Sequence, residues 1–202
     1  MIAILDRGHG LKADGFDPGV VRGDLREVDL ATAYLDVAAD ILARAGVRVV
    51  RLDSGAYTER HKKALAAAGS TPALYVQGHV NAGGGSYGLV RPDARSKRGA
   101  AAAVQVAKSL AEMTGQRTRT DPLYANSQAA EAGGRSADKE GSWSWWTRGH
   151  GCIAGVYAGP ATICGVLYEP FFIDDPREDW HTRHDLIGSA LAAGMLAFLR
   201  GA

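Results

Sequence analysis

The feature that most constrains this chain is a set of short apolar runs, each ending in a histidine or carboxylate, set between stretches with helical spacing. Residues 2–6 are apolar up to Asp6 and lead into Arg7-Gly8-His9-Gly10, where a loop is expected. Residues 73–77 lead into Gly78-His79-Val80-Asn81, and residues 163–169 end on Glu169 before Pro170. Such runs are too short for helices and suit strands buried on both faces. Between them, residues 26–45 place Val28, Ala31, Leu35, Ala38, Ile41/Leu42 and Ala45 at three-to-four spacing, with Gly46 as the stop. Further helices are expected over 58–68, 95–113 and 182–199, and further strands over 47–52, 87–91 and 152–157. Residues 11–24, rich in glycine, read as a loop. Strands alternating with helices indicate an α/β domain with a largely parallel sheet.

At 202 residues the chain is expected to form a single domain, and its length buries a core without staples. A formal net charge of +1 leaves no field for gathering phosphates, which disfavours a general nucleic-acid binder. No stretch approaches the ~18 consecutive apolar residues of a membrane span, so no stable membrane insertion is expected. The opening Met1-Ile2-Ala3-Ile4-Leu5 has no basic leader and no cleavage site, which leads us to expect synthesis in the cytoplasm without a signal peptide. Two cysteines make no disulfide framework. Cys152 and Cys164 lie in apolar runs and read as small buried hydrophobes, and a Cys152–His150 catalytic pair is disfavoured by its position along a strand. The polar stretch around 120–150 carries Gly133-Gly134 and Trp143, Trp145 and Trp146; a long irregular segment in a compact domain often belongs to a binding site.

In open α/β sheets, sites collect beyond the carboxyl ends of the strands. His9, His79 and Glu169 stand there, and Glu27 opens the first long helix near the same rim. Two histidines and one carboxylate are the ligand set of a catalytic zinc with an open fourth position, and a second carboxylate would serve proton transfer. Spacing alone is a weak signal, because no local pair such as HExxH joins these residues. Glu27 also fits the third residue of a capping box opened by Asp24, and His79 fits a loop histidine bonded to backbone. His61, His181 and His184 lie in or beside charge-rich helical segments and are expected at the solvated surface.

Taken together, Leu5-Asp6-Arg7-Gly8-His9-Gly10, Glu27-Val28-Asp29-Leu30, Gly78-His79-Val80-Asn81-Ala82 and Leu167-Tyr168-Glu169-Pro170-Phe171-Phe172-Ile173-Asp174 resemble, in order, the four motifs of zinc-dependent N-acetylmuramoyl-L-alanine amidases. These are peptidoglycan enzymes of bacterial cell-wall turnover and of phage endolysins. The resemblance implies zinc held by His9, Glu27 and His79, with Glu169 as the catalytic carboxylate. It also implies a mixed, mostly parallel six-stranded sheet flanked by helices, and cleavage between N-acetylmuramic acid and L-alanine. The family usually carries proline or an equivalent at Arg7, serine-isoleucine at Gln77-Gly78 and asparagine at Asp174; the segment 120–150 matches none of its motifs. Candidate substrate contacts are Asn81, His150, Trp143 and Trp146. The expected partner is peptidoglycan, reached by a monomeric phage or prophage endolysin after release from the cytoplasm. A carboxypeptidase-like zinc enzyme and a non-catalytic wall-binding module are the competing readings.

Overall fold

The computed structural model describes residues 1–12, 15–122, 162–176 and 179–201. Its elements in chain order are β1 (Ile2–Lys12), β2 (Gly15–Asp17), β3 (Val21–Arg22), β4 (Leu25–Arg26), α1 (Glu27–Arg44), β5 (Arg48–Ser54), α2 (Tyr57–Ala68), β6 (Ala73–Gly78), β7 (Gly88–Pro92), α3 (Lys97–Thr114), β8 (Thr118–Arg119), β9 (Ile163–Glu169) and α4 (His184–Gly201). A 3₁₀ turn, Trp180–Thr182, precedes α4.

The first half of β1 lies between two parallel neighbours, paired Ile2↔Arg48 with β5 and Ile2↔Ala73 with β6. β6 pairs in parallel with β9, β7 runs antiparallel to β9, and β8 follows β7. The order β5-β1-β6-β9-β7-β8 is the expected mixed six-stranded sheet, with short β2 added along the far end of β1. Alternation sorts the buried strand residues onto the two faces. Ala3, Leu5, Leu74, Val76, Cys164, Val166 and Tyr168 pack with α1, α3 and α4. Ile2, Ile4, Ala73, Tyr75, Ile163 and Leu167 pack on the opposite face, where α2 contributes Ala64 and Ala68. Among the described residues no helix is long and apolar enough to cross a membrane.

Most element boundaries fall within two residues of those expected. Three expectations are corrected. The tetrad Arg7–Gly10, expected in a loop, belongs to β1, which shifts register against β5 between Asp6 and Leu11 and then turns back through β2. The stretch 11–24 is not all loop, since it contains β2, β3 and the turn into β4. His61 is fully buried rather than solvated, its ring 5.6 Å from that of Tyr75. The strand expected over 152–157 lies outside the described residues, as does Cys152; Cys164 is a buried free thiol, its pKa pushed up to about 11 by burial.

On the α2 face, Asp6 and Arg60 form a fully buried ion pair. Tyr75 donates to the other oxygen of Asp6, and Arg60 also donates to the carbonyls of Arg7 and, at 2.9 Å, Gly8. A buried cation is tolerated only when it is paired and hydrogen-bonded in this way. The clamp fixes the main chain where β1 leaves β5, directly before His9.

Candidate metal centre

His9 comes from the extension of β1, Glu27 is the first residue of α1, and His79 follows the last residue of β6. The carboxylate of Glu27 sits between the two imidazoles: Oε1 lies 2.8 Å from His79 Nδ1 and Oε2 3.3 Å from His9 Nε2. The rings are 4.8 Å apart and nearly perpendicular. Glu27 and His79 are buried, and His9 is partly exposed. The three residues can each turn a donor atom to a common point, with those atoms all within 4.8 Å of one another.

Local main chain makes this arrangement. α1 starts at Glu27 because loop carbonyls take its free amides: Glu27 N–H donates to Val20 O at 2.9 Å and Val28 N–H to Pro18 O at 3.1 Å. Its N-cap is Arg26, with no side-chain cap, so the Asp24 capping box does not form. The Glu27 side chain instead accepts from Val20 N at 2.9 Å and Val80 N at 3.0 Å, at the helix end where a negative charge is favoured. The sheet ladder carries His79 into place, its amide donating to Tyr168 O at 2.9 Å. Tyr34, two turns after Glu27 on the same face of α1, donates to the His79 carbonyl at 2.9 Å. Two glycines are required by close approach. A Cβ on Gly8 would stand 2.1 Å from the His79 ring, and one on Gly19 (φ +70°) 2.6 Å from Glu27 and 2.8 Å from His9.

Burial pushes the Glu27 carboxyl upward, but the hydrogen bonds from His79 and His9 outweigh it and hold it well below the ordinary carboxylate range. Burial likewise opposes charge on His9, yet Glu27 and then Asp17 raise its pKa above the ordinary value. The site is thus built around a charge that two nitrogens share. Two imidazoles and one carboxylate suit zinc, which takes nitrogen and oxygen donors and in catalytic sites leaves one position open.

Glu169 ends β9 on the same rim. Burial raises its pKa above the ordinary value, opposed by the charges of His79 and Arg91 and helped by that of Glu27. Asn81 lies beside it, Nδ2 3.5 Å from Glu169 Oε2, while its Oδ1 accepts from Ala82 N at 2.8 Å. The chain after β9 continues along Asn81 through an Asn81↔Phe172 bridge, and Asp174 accepts from Gly83 N and Gly84 N, both at 3.1 Å. A cavity of about 300 Å³ opens near this segment, bounded by Arg22, Leu25, Phe172, Asp174, Trp180 and His181. His181 is half-buried, and His184 is exposed. Trp143, Trp145, Trp146 and His150 lie outside the described residues.

Sequence reasoning missed two residues that support the site. Tyr34 follows Glu27 by seven positions, a spacing that already places both on one helix face. Asp17, 2.9 Å from His9 Nδ1, opens an Asp-Pro-Gly turn and was signalled only as a turn residue.

No family model matches the chain, and no curated protein does. Several solved structures match over nearly their whole length. The N-acetylmuramoyl-L-alanine amidase AmiC2 of Nostoc punctiforme is 17% identical, with a TM-score of 0.66 over 99% of this chain and 97% of that one. The catalytic domain of CwlV, an N-acetylmuramoyl-L-alanine amidase from Bacillus (Paenibacillus) polymyxa var. colistinus, is 18% identical, with a TM-score of 0.66 over 98% of both chains. The catalytic domain of CD27L, an endolysin targeting Clostridia difficile, is 16% identical, with a TM-score of 0.61 over 98% of this chain and 97% of that one. At such identities the likeness is one of fold.

Proposed function

We propose that this chain, which has the fold of the N-acetylmuramoyl-L-alanine amidases, is a zinc-dependent hydrolase that cuts the amide between N-acetylmuramic acid and L-alanine in peptidoglycan. The observation that carries the reading is the convergence of His9, Glu27 and His79 at the rim where Glu169 ends β9. The three converging residues would hold the metal. Zinc bound there supplies a water of pKa about 7 and a Lewis acid for the scissile carbonyl.

The chain's own residues do the rest. Glu169, its pKa raised by burial, accepts the proton of the attacking water as the new C–O bond forms. The same carboxyl then delivers that proton to the alanine nitrogen as the C–N bond breaks, so the leaving group departs as a neutral amine. Asn81, within 3.5 Å of Glu169, orients that carboxyl toward the substrate. Glu27 stays ionised because two main-chain amides, those of Val20 and Val80, donate to its oxygens.

The test is product analysis on purified peptidoglycan. Stem peptides with a free N-terminal L-alanine and intact glycan strands, lost on chelation and restored by zinc, are expected. Cleavage confined to peptide bonds within the stem would show the carboxypeptidase-like reading instead, and no cleavage with retained wall binding would show a binding module. The finer setting in our proposal, a phage or prophage lysin, is supported by the likeness to the CD27L domain. Lysis of susceptible cells after membrane permeabilisation, with holin or phage structural genes beside the coding sequence, is the expected result.

A further inference from the structure

Glu27 and His79 are held by main-chain groups and by each other, whereas His9 leans on a side chain from β2. The antiparallel pairing of β2 with the end of β1 sets Asp17 opposite Gly10, next to His9. One Asp17 oxygen, Oδ2, lies 2.9 Å from His9 Nδ1, and the other, Oδ1, accepts from Gly19 N at 3.0 Å. Asp17 and Glu27 both face the ring with carboxylates that only accept. The single hydrogen of the neutral imidazole goes to the closer one, on Nδ1 toward Asp17 at 2.9 Å rather than on Nε2 toward Glu27 at 3.3 Å. The lone pair of Nε2 is then left on the side facing Glu27, 3.3 Å from Oε2.

We propose that Asp17 is a positioning residue that fixes the ring orientation and the Nδ1–H form of His9, so that Nε2 is the nitrogen offered to a metal. The inference rests on the metal site proposed above and adds a residue to it. Partners of this kind orient ligating histidines and raise their basicity. The same carboxylate sets the turn at Gly19, whose main chain packs against both Glu27 and His9. One side chain therefore shapes the loop and aims the ligand.

The two roles separate by substitution. In Asp17→Asn the amide oxygen keeps the bond from Gly19 N, because the amide NH₂ cannot accept it. That NH₂ then faces His9 Nδ1 and donates to it, which moves the ring hydrogen to Nε2. Asp17→Ala loses both contacts. Nitrogen NMR of the metal-free protein at alkaline pH reads the His9 tautomer, and competition with a chromophoric chelator reads zinc affinity. Expected are Nδ1–H in the unsubstituted protein, Nε2–H in Asp17→Asn, an unchanged melting temperature of metal-free Asp17→Asn, and a fall in its zinc affinity of roughly 10–100-fold. Wild-type tautomer and affinity in Asp17→Asn would overturn the proposal, as would affinity lost only in Asp17→Ala together with thermal stability. If the unsubstituted protein takes up no zinc while Asp17→Asn still inverts the tautomer, the orienting role of Asp17 stands and the zinc reading falls.

Discussion

Glu27 and Glu169 are two carboxylates at one rim that their surroundings drive in opposite directions. Both lose solvation, but two imidazoles offset this for Glu27, which falls below the ordinary range, whereas for Glu169 burial outweighs the charges of His79 and Arg91 and its pKa rises. A carboxylate held ionised suits a ligand, and one with a raised pKa suits proton transfer. Glu169→Gln is accordingly expected to keep its zinc while kcat falls by roughly 10²–10⁴-fold, the usual contribution of general acid–base catalysis. Metal analysis beside kinetics checks this, and loss of zinc in the variant would make Glu169 a ligand. The sign of the pH dependence follows from the raised pKa. Glu169 must be ionised to accept a proton, so as pH falls activity is lost at a value above 4.5, the ordinary one for the side chain. A profile measured with zinc content followed at each pH separates this limb from metal loss. The grouping of His9, Glu27 and His79 was legible in the sequence because Glu27 opens α1, His79 follows β6 and His9 follows the apolar run that opens β1. Asp17 was not, because its partner is set by hairpin pairing.

At the scale of elements, α2 shows how a buried stripe can be disguised. Arg60, His61, Ala64 and Ala68 form its buried face, at helical spacing, but Glu59, Lys62 and Lys63 surround the first two with charge. Sequence reasoning counts Arg and His as polar and so reads a solvated segment. Burial of Arg60 makes sense only once Asp6 and the carbonyls of Arg7 and Gly8 are in place to receive it. Arg60→Met removes that partner and leaves the Asp6 carboxylate buried without its cation, which is expected to cost about 3–5 kcal/mol. Burial has already raised the Asp6 pKa from 3.8 to about 6, despite the guanidinium that lowers it. A raised acid pKa means the folded state holds the proton longer. The associated stability is present below 3.8 and is lost as pH rises through about 6. Without Arg60 the folded pKa rises further, so the variant's deficit should be larger in alkaline than in mildly acid buffer. Urea unfolding on both sides of that window checks it; an equal deficit at both would exclude Asp6 as the source. Arg7, where the resembling family usually carries proline, donates to Thr32 Oγ1 at 3.2 Å and Asp53 O at 2.6 Å, tying β1 to α1 and β5.

For the whole molecule, the donor set joins three elements far apart in the chain, β1, α1 and β6. A metal that binds only the folded arrangement stabilises it by mass action, about 2.7 kcal/mol at a free concentration 100 times Kd. In a protein of this size that corresponds to a rise in Tm of roughly 5–11 °C. Zinc titration followed by thermal unfolding should show this rise, and Glu27→Gln and His79→Ala should abolish it. An unchanged Tm at saturating zinc would remove the metal from the site.

The sequence by itself determined the long helices and the main sheet strands, most of their buried faces, and the rim on which histidines and carboxylates stand. Hydrophobic period, glycine stops and strand-end residues are local properties, read within a few turns of chain. Only the tertiary structure decided the order β5-β1-β6-β9-β7-β8, the reversal of β7 and β8, and the register that brings residues 9, 27 and 79 within one small sphere. It also decided that an arginine would be core and that Asp17 would stand beside His9. These depend on which strands pair and on charges satisfied by residues distant in sequence, and no local pattern carries that information.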